Sequence, residues 1–62
     1  MPVISVELFE GRSREQKAAF AKAVTHAAQE ILKTAPEHVW MIFKEYPKSE
    51  WAMGGKLCDG PA

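Results

Sequence analysis

The sequence predicts a small α/β subunit: a β-α-β unit followed by a short C-terminal hairpin. Apolar residues alternate over residues 2–9, a helical pattern covers residues 14–33, and a second apolar stretch occupies residues 38–44. Two strands joined by a long helix form a right-handed parallel unit when they share a sheet. Because 62 residues are enough for one domain only, we interpret residues 1–62 as a single domain.

The first strand has two different faces. Ile4, Val6 and Leu8 point to one side, where we expect the helix to pack. The residues that point to the other side are Val3, Ser5, Glu7 and Phe9. This second set is mixed, as expected of a face that is partly active site and partly subunit contact.

The helix has clear start and stop signals. Gly11 can supply a positive φ angle and break the strand. Ser13 and Gln16 have the spacing of a capping box, and Glu15 in the first turn favours the helix dipole. Pro36 is predicted to end the helix, because proline disfavours helical geometry at the residue before it.

One stripe of the helix is apolar and is predicted to pack on the sheet. It consists of Phe20, Val24, Ala27 and Ile31, flanked by Ala23 and Ala28. The far side is predicted to carry Lys22, Thr25, Gln29 and Lys33.

The second strand, residues 38–44, is almost continuously apolar, which predicts burial on both faces. The single helix covers one face, and no remaining segment is large enough to cover the other. After Pro47, the pair Gly54-Gly55 is typical of a tight hairpin turn. A second copy of the chain is therefore the expected cover, and the hairpin is expected to dock on it.

Size also favours an oligomer. A domain this small buries only about 60% of the surface that its unfolded chain exposes. Cys58 is the only cysteine, so no intrachain disulfide can form, and His26 and His38 lack the spacing of a zinc site. We therefore expect no metal, and association of subunits is the remaining source of stability.

Composition excludes several classes of partner. The formal net charge is zero and no basic stripe occurs, which argues against nucleic acid. No membrane span or signal peptide is evident, and a lone Cys58 suits a reducing cytoplasm, so we expect a cytoplasmic location without membrane attachment. Hydrolase, kinase and phosphate-loop motifs are absent, and no cofactor signature occurs.

Pro2 is the first candidate for chemistry. If Met1 is removed, the Pro2 nitrogen becomes a secondary amine. An α-amino group titrates at roughly 7.7–8.0 in model peptides, and burial or a nearby cation lowers that value. Such an amine suits a general base. Proline is about one residue in twenty, however, so position alone carries little weight.

Stronger evidence comes from residues 10–17, which read Glu10-Gly11-Arg12-Ser13-Arg14-Glu15-Gln16-Lys17. Together with Pro2 and the late Gly54-Gly55 pair, this stretch resembles the 4-oxalocrotonate tautomerase family from residue 2 to about residue 57. The resemblance implies a homohexamer, with a trimer or dimer as alternatives. It also implies that Pro2 is the base that moves a proton between carbon atoms. Arg12 is then the residue that binds a substrate carboxylate and draws electron density toward it.

The resemblance also implies three substrate-binding candidates. Trp51 stands where the family has a phenylalanine that keeps the pocket dry, although packing at an interface explains Trp51 equally well. Trp40 replaces a second arginine, which reaches in from a neighbouring subunit in the tautomerase that gives the family its name. Lys44 lies on the same strand face as Trp40, but an ammonium is a poor substitute for a planar guanidinium.

These residues predict a cofactor-independent keto–enol tautomerase for small 2-hydroxy-enoate or 2-oxo acids. Without the second arginine, we expect a monocarboxylate with an apolar end, such as phenylenolpyruvate, to be preferred over 2-hydroxymuconate, unless Trp40 only packs at an interface.

The alternative functions are hydration, dehalogenation or decarboxylation of a related acid. These reactions normally need an added acidic residue, and no clear candidate for it is evident. A non-catalytic oligomer that binds small acids or carbonyl compounds is a further alternative.

Overall fold

The computed structural model describes residues 1–60 and contains a β-α-β unit followed by a small hairpin. Strand β1 is Val3–Phe9, helix α1 is Arg14–Leu32 and strand β2 is Trp40–Tyr46. Two single-turn 3-10 helices lie at Pro36–His38 and Lys48–Glu50. The hairpin strands are β3, Ala52–Met53, and β4, Lys56–Leu57. The predicted fold class is confirmed.

The main sheet has two parallel strands. β1 and β2 pair in register from Val3 opposite Trp40 to Phe9 opposite Tyr46. Ile4, Val6 and Leu8 are half-buried on the helix side, as predicted, and the residues of β2 alternate in the same way. The opposite face of the sheet is open, so the predicted burial of β2 on both faces does not occur within one chain.

The predicted start of α1 is confirmed at Arg14. The Gln16 backbone N–H donates to the Ser13 hydroxyl at 3.1 Å, and the Ser13 backbone N–H donates to Gln16 Oε1 at 2.9 Å. This reciprocal pair is the predicted capping box. Gly11 has a φ angle of 120°, which explains why glycine is needed there.

The end of α1 differs from the prediction. Lys33 adopts the left-handed conformation, with a φ angle of 56°, and its backbone N–H donates to the Gln29 carbonyl. The helix therefore ends at Leu32, one residue before the predicted end, and its last turn is closed by Lys33. Pro36 instead opens a 3-10 turn, and Ala35 before it is extended.

β2 lies two residues later than predicted, at Trp40–Tyr46 instead of 38–44. The backbone N–H groups of His38 and Val39 donate to the carbonyls of Ala35 and Pro36. Because the 3-10 turn occupies these donors, pairing with β1 begins only at Trp40. At the other end, pairing continues to Tyr46.

The apolar stripe predicted for α1 is largely wrong for the single chain. The residue buried among those described is Ala28, at 7% exposure, with Val24, Thr25 and Gln29 half-buried. Phe20 and Ile31 are 47% and 76% exposed. The helix is thus turned by about a quarter turn relative to the prediction, because small side chains let it lie on the two-stranded sheet. The large apolar side chains stay accessible.

The hairpin has the predicted turn. Gly54 and Gly55 have φ angles of 59° and 82°, a combination that tight hairpin turns require at both central positions. The strands pair Ala52 with Leu57 and Met53 with Lys56. Within the described part of the chain, no helix has both the length and the apolar character that crossing a membrane requires.

The shape is extended for a chain of this length. The principal dimensions are 46 × 23 × 13 Å and the radius of gyration is 14.9 Å, against about 11 Å for a compact domain of the same size. The accessible surface is 4929 Å², where a compact monomer of this mass exposes about 4,000 Å². One chain therefore exposes about 900 Å² more surface than a compact monomer of the same mass.

Candidate functional site

The candidate residues gather at the two opposite ends of the main sheet. At one end, the Pro2 carbonyl accepts a hydrogen bond from the Trp40 backbone N–H at 3.0 Å. Pro2 itself is half-buried, and Met1 before it is 66% exposed. While Met1 is attached, the Pro2 nitrogen is an amide nitrogen.

Trp40 lies beside Pro2 on the open face of the sheet. Its backbone pairs in register with Val3, and the residue is 56% exposed. The indole N–H donates to the Glu37 carbonyl at 3.1 Å. Because that single donor is occupied, Trp40 offers a neighbouring molecule the apolar face of its ring.

At the other end of the sheet, Trp51 packs across the last residues of both strands. Its ring centroid lies 5.2 Å from that of Phe9 and 6.2 Å from that of Tyr46, in edge-to-face arrangements. Such arrangements are favoured between aromatic rings. The Trp51 carbonyl also accepts from the Cys58 backbone N–H at 2.9 Å, which joins this residue to the end of the hairpin.

Arg12 lies between β1 and α1, immediately before the helix cap, and borders two cavities. The first, of about 270 Å³, is lined by Glu7, Leu8, Phe9, Arg12 and Trp51. The second, of about 320 Å³, is lined by Val6, Leu8, Arg12, Gln16, Lys17, Phe20 and Phe43. Within residues 1–60 the Arg12 guanidinium forms no ion pair. A guanidinium without a partner beside aromatic rings is suited to bind a carboxylate.

Lys44 lies away from both cavities. It shares the open face of the sheet with Trp40, as the alternation predicted, and its register partner is Glu7. Four residues of extended strand place it about 13 Å from Trp40. It does not line either cavity that Arg12 borders.

Two further residues near Arg12 were missed by the sequence reasoning. Lys17 forms a half-buried ion pair with Glu45, with Nζ and Oε1 2.5 Å apart, which joins the start of α1 to the end of β2. Glu7 borders the cavity that Arg12 and Trp51 share. Alternation along β1 places Glu7 on the same face as Phe9, so that pattern was the available signal for Glu7. Lys17 had no comparable signal, since its partner is 28 residues away.

Pro2 and Arg12 are far apart within one chain. β1 separates them, and seven extended residues span about 20 Å. Trp40 and Trp51 are separated by β2 in the same way. A small acid therefore cannot contact Pro2 and Arg12 of the same chain together. No group of three or more His, Cys, Asp or Glu side chains suited to a metal ion occurs among residues 1–60.

Comparison with known proteins gives consistent matches over nearly the whole chain. The family model described as "Tautomerase enzyme" matches residues 2–59. A protein of Halalkalibacterium halodurans named "Probable tautomerase" is 38% identical over 56 residues, covering 90% of this chain and 92% of its own. A Bacillus cereus protein with the same name is 39% identical over the same shares of both chains.

Solved structures match equally well. TomN, a 4-oxalocrotonate tautomerase homologue in the tomaymycin biosynthetic pathway, is 44% identical with a TM-score of 0.88, covering 92% of this chain and 88% of its own. The 4-oxalocrotonate tautomerase homologue YwhB superposes with a TM-score of 0.91 at 30% identity, over 98% of this chain and all of its own. A 4-oxalocrotonate tautomerase of Chloroflexus aurantiacus, described as a heterohexamer, is 34% identical with a TM-score of 0.87, over 94% of each chain. These matches in sequence and fold show that the chain belongs to the 4-oxalocrotonate tautomerase family.

Proposed function

We propose that the protein is a cofactor-independent keto–enol tautomerase for small 2-hydroxy-enoate or 2-oxo acids. Its site combines Pro2 of one copy with Arg12 and Trp51 of another. The observation that supports this most directly is Arg12, which has no ion-pair partner among residues 1–60 and lies at the edge of an aromatic-lined cavity. In a family of tautomerases, such a cavity suits an acid whose carboxylate meets the guanidinium.

The chemistry is a proton transfer that needs no redox group. After removal of Met1, the Pro2 amine takes the proton from the enol oxygen, and the resulting ammonium returns a proton to the carbon atom two bonds away. Arg12 holds the carboxylate and stabilises negative charge that builds up toward it. Phe9 and Trp51 line the cavity beside Arg12 with apolar rings, and a second copy that covers this open cavity would exclude water and strengthen the electrostatic effect. Atoms and electrons balance, since the substrate and the product are isomers.

A shared site requires an oligomer, and three observations support a homo-oligomer. Pro2 and Arg12 lie at opposite ends of β1, the open face of the sheet is apolar at Trp40 and Ile42, and the chain exposes about 900 Å² more than a compact monomer. Stable interfaces bury about 800 Å² per partner, so that excess is large enough for one. The heterohexameric relative of Chloroflexus aurantiacus has the same subunit fold.

The substrate is proposed to be a monocarboxylate with an apolar end. A diacid needs a cation at each end, because a buried carboxylate without a partner is heavily penalised. Arg12 serves one end. Trp40, whose N–H is bonded to Glu37, offers only an apolar surface at the other. Phenylenolpyruvate has this character, and 2-hydroxymuconate does not.

The test combines intact mass with a ketonisation assay on the same sample. A chain that lacks Met1 should ketonise phenylenolpyruvate without uptake of water. If protein that lacks Met1 ketonises no enol acid in a substrate panel, the proposal is contradicted. That result would favour instead a non-catalytic protein that binds small acids.

Addition of water is the second candidate function, and one observation favours it. Glu7, which is exposed, borders the cavity that Arg12 and Trp51 share, so a carboxylate stands where a water molecule could be activated. This supplies the acidic residue that a hydratase or dehalogenase needs. Mass spectrometry distinguishes the two activities, because a product of water addition is heavier than the substrate by one water molecule, whereas a tautomer has the same mass. A Glu7→Gln variant that no longer forms the heavier product would support water addition.

A further inference from the structure

The indole N–H of Trp51 is buried and has no hydrogen-bond partner among residues 1–60. Buried polar groups in folded proteins nearly always have a partner, so each exception requires an explanation. A buried donor without an acceptor destabilises the protein by about 1–3 kcal/mol. We therefore expect the Trp51 N–H to donate a hydrogen bond when a second molecule binds.

The other indole of the chain behaves differently. Trp40 Nε1 donates to the Glu37 carbonyl at 3.1 Å, so its hydrogen-bonding capacity is satisfied internally. Of the two indole N–H groups, that of Trp51 is the one without a partner among residues 1–60.

The position of Trp51 suggests the class of acceptor. Trp51 and Arg12 line the same cavity of about 270 Å³. A guanidinium binds both oxygens of a carboxylate through its fork, whereas an indole has a single donor that suits one oxygen atom. In a 2-oxo acid or its enol, the 2-oxygen lies on the carbon next to the carboxylate. A single donor on a residue that shares a cavity with Arg12 is thus suited to that oxygen.

We propose that Trp51 Nε1 donates a hydrogen bond to the 2-oxygen of the acid whose carboxylate Arg12 binds. The inference rests on the proposed function and makes Trp51 a specificity-determining residue. A site built to hydrogen-bond a substrate oxygen rejects an analogue that lacks it, because the buried group is left unpaired. Because the donor is shielded from water in the free chain, the proposed hydrogen bond requires the ring or a side chain beside it to move when the acid binds. The exposed residues Glu7 and Glu50 border a cavity beside it.

Two phenyl monocarboxylates test the proposal without turnover. Benzoylformate carries the 2-oxygen but has no hydrogen with which to enolise, and phenylacetate has a methylene group in place of the carbonyl. Isothermal titration of the wild-type protein should give at least about tenfold tighter binding of benzoylformate. Trp51→Phe should remove this preference, mainly by weakening benzoylformate binding. Trp40→Phe, which removes an N–H that is already bonded internally, should keep the ratio of the two affinities.

Nuclear magnetic resonance gives a direct readout, because the chain has only two indole N–H groups. The Trp51 resonance should move on titration with benzoylformate and move much less with phenylacetate, while the Trp40 resonance, whose N–H is already bonded to Glu37, should respond alike to the two acids. Equal affinities for the two acids in the wild type would overturn the inference. A Trp51→Phe variant that keeps the ratio of the two affinities but dissociates into smaller species would also overturn the inference. In that case the Trp51 N–H donates its hydrogen bond to a second copy of the chain.

The binding test is independent of catalysis. If the protein is inactive on every enol acid but still binds benzoylformate more tightly than phenylacetate, the proposed function is wrong and the role of Trp51 stands. If the protein is an active tautomerase that binds both acids equally, the proposed function stands and the role of Trp51 is wrong.

Discussion

The Pro2 nitrogen is an amide nitrogen as long as Met1 is attached, and an amide has no useful basicity. The Pro2 carbonyl accepts from the Trp40 N–H, and this contact does not involve the bond to Met1. At the scale of single residues, we therefore expect removal of Met1 to free the Pro2 amine and to leave the fold intact.

Activity should follow the fraction of chains that lack Met1. The physical reason is that only those chains present a free secondary amine, whose protonation changes near neutral pH. Intact mass and ketonisation rate, measured on samples with different degrees of processing, check this. Equal rates in protein that retains Met1 and in protein that lacks it would show that Pro2 takes no part in the mechanism.

Pro2→Ala should leave weak activity, because an amine survives without the ring that fixes its geometry.

Arg12→Ala should weaken both substrate affinity and rate. Arg12 is an exposed loop residue without an ion pair in residues 1–60, so its removal should change the free energy of unfolding little. A lost contact to a carboxylate should cost about 1.5–3 kcal/mol, which lowers kcat/KM roughly 10- to 150-fold. Arg14→Ala is the matched control, since Arg14 is also exposed but borders neither Arg12 cavity. If Arg12→Ala and Arg14→Ala have the same kinetics, Arg12 is an ordinary surface residue.

Trp40→Arg should shift substrate preference toward the diacid. The change replaces an apolar ring face by a cation at the end of the pocket that Arg12 does not serve. The ratio of kcat/KM for 2-hydroxymuconate to that for phenylenolpyruvate is the quantity to measure in both proteins. Efficient turnover of the diacid by the wild type would show that another cation serves that end, with Lys44 as the first candidate.

At the scale of elements, the start of α1 is what holds Arg12 in place. The capping box fixes the backbone of Ser13, and Arg12 precedes it directly. The Lys17–Glu45 ion pair then connects the first turn of the helix to the end of β2. Both ends of the Arg12 loop are thus attached to regular structure, which limits the positions that the guanidinium can occupy.

Ser13→Ala should lower the free energy of unfolding by about 0.5–2 kcal/mol, because the Gln16 N–H loses its acceptor. Denaturant titration at fixed protein concentration measures this. Ser13→Asp is the control, since aspartate also accepts from the first turn and should preserve most of the stability. Equal losses for Ser13→Ala and Ser13→Asp would mean that the cap contributes nothing and that packing at Ser13 matters instead.

At the scale of the whole molecule, the subunit has little interior of its own. Its large apolar side chains are exposed on three surfaces: the open face of the sheet, one side of α1 and the hairpin. These residues are Val3, Phe20, Ile31, Leu32, Trp40, Ile42, Met53 and Leu57. Exposed apolar area of this extent is typical of surfaces that meet another protein.

Mixing two impaired variants should raise activity if the site is shared between copies. One variant carries a short tag that blocks the Pro2 nitrogen, and the other is Arg12→Ala, which keeps residual activity. When the two are unfolded and refolded together, about a quarter of the sites should combine an intact Pro2 with an intact Arg12. If both residues acted within one chain, the activity of the mixture would stay at the mean of the two separate variants. Light scattering over a dilution series is the companion measurement, and a folded monomer at micromolar concentration would argue against any shared site.

The sequence by itself determined several features that depend on neighbours within a few residues. The capping box at Ser13, the positive φ angle at Gly11, the hairpin turn at Gly54-Gly55 and the alternation along β1 were all predicted and all observed. The family resemblance on Pro2 and the stretch 10–17 was confirmed by matches in sequence and in fold. These signals are readable because caps, turns and strand faces arise from interactions between residues that are close along the chain.

Only the tertiary structure decided how these elements meet. The rotation of α1 toward Ala28, its end at Lys33 and the later start of β2 at Trp40 depend on packing and on competition for backbone donors. The structure also separated Pro2 from Arg12, and it left one indole N–H bonded and the other without a partner among residues 1–60. The rotation of α1 and the Pro2–Arg12 separation depend on groups that are distant along the chain. The end of α1, the 3-10 turn and the Trp40 N–H bond are local, but each is one of several local arrangements that the same residues allow, and the sequence pattern did not choose between them.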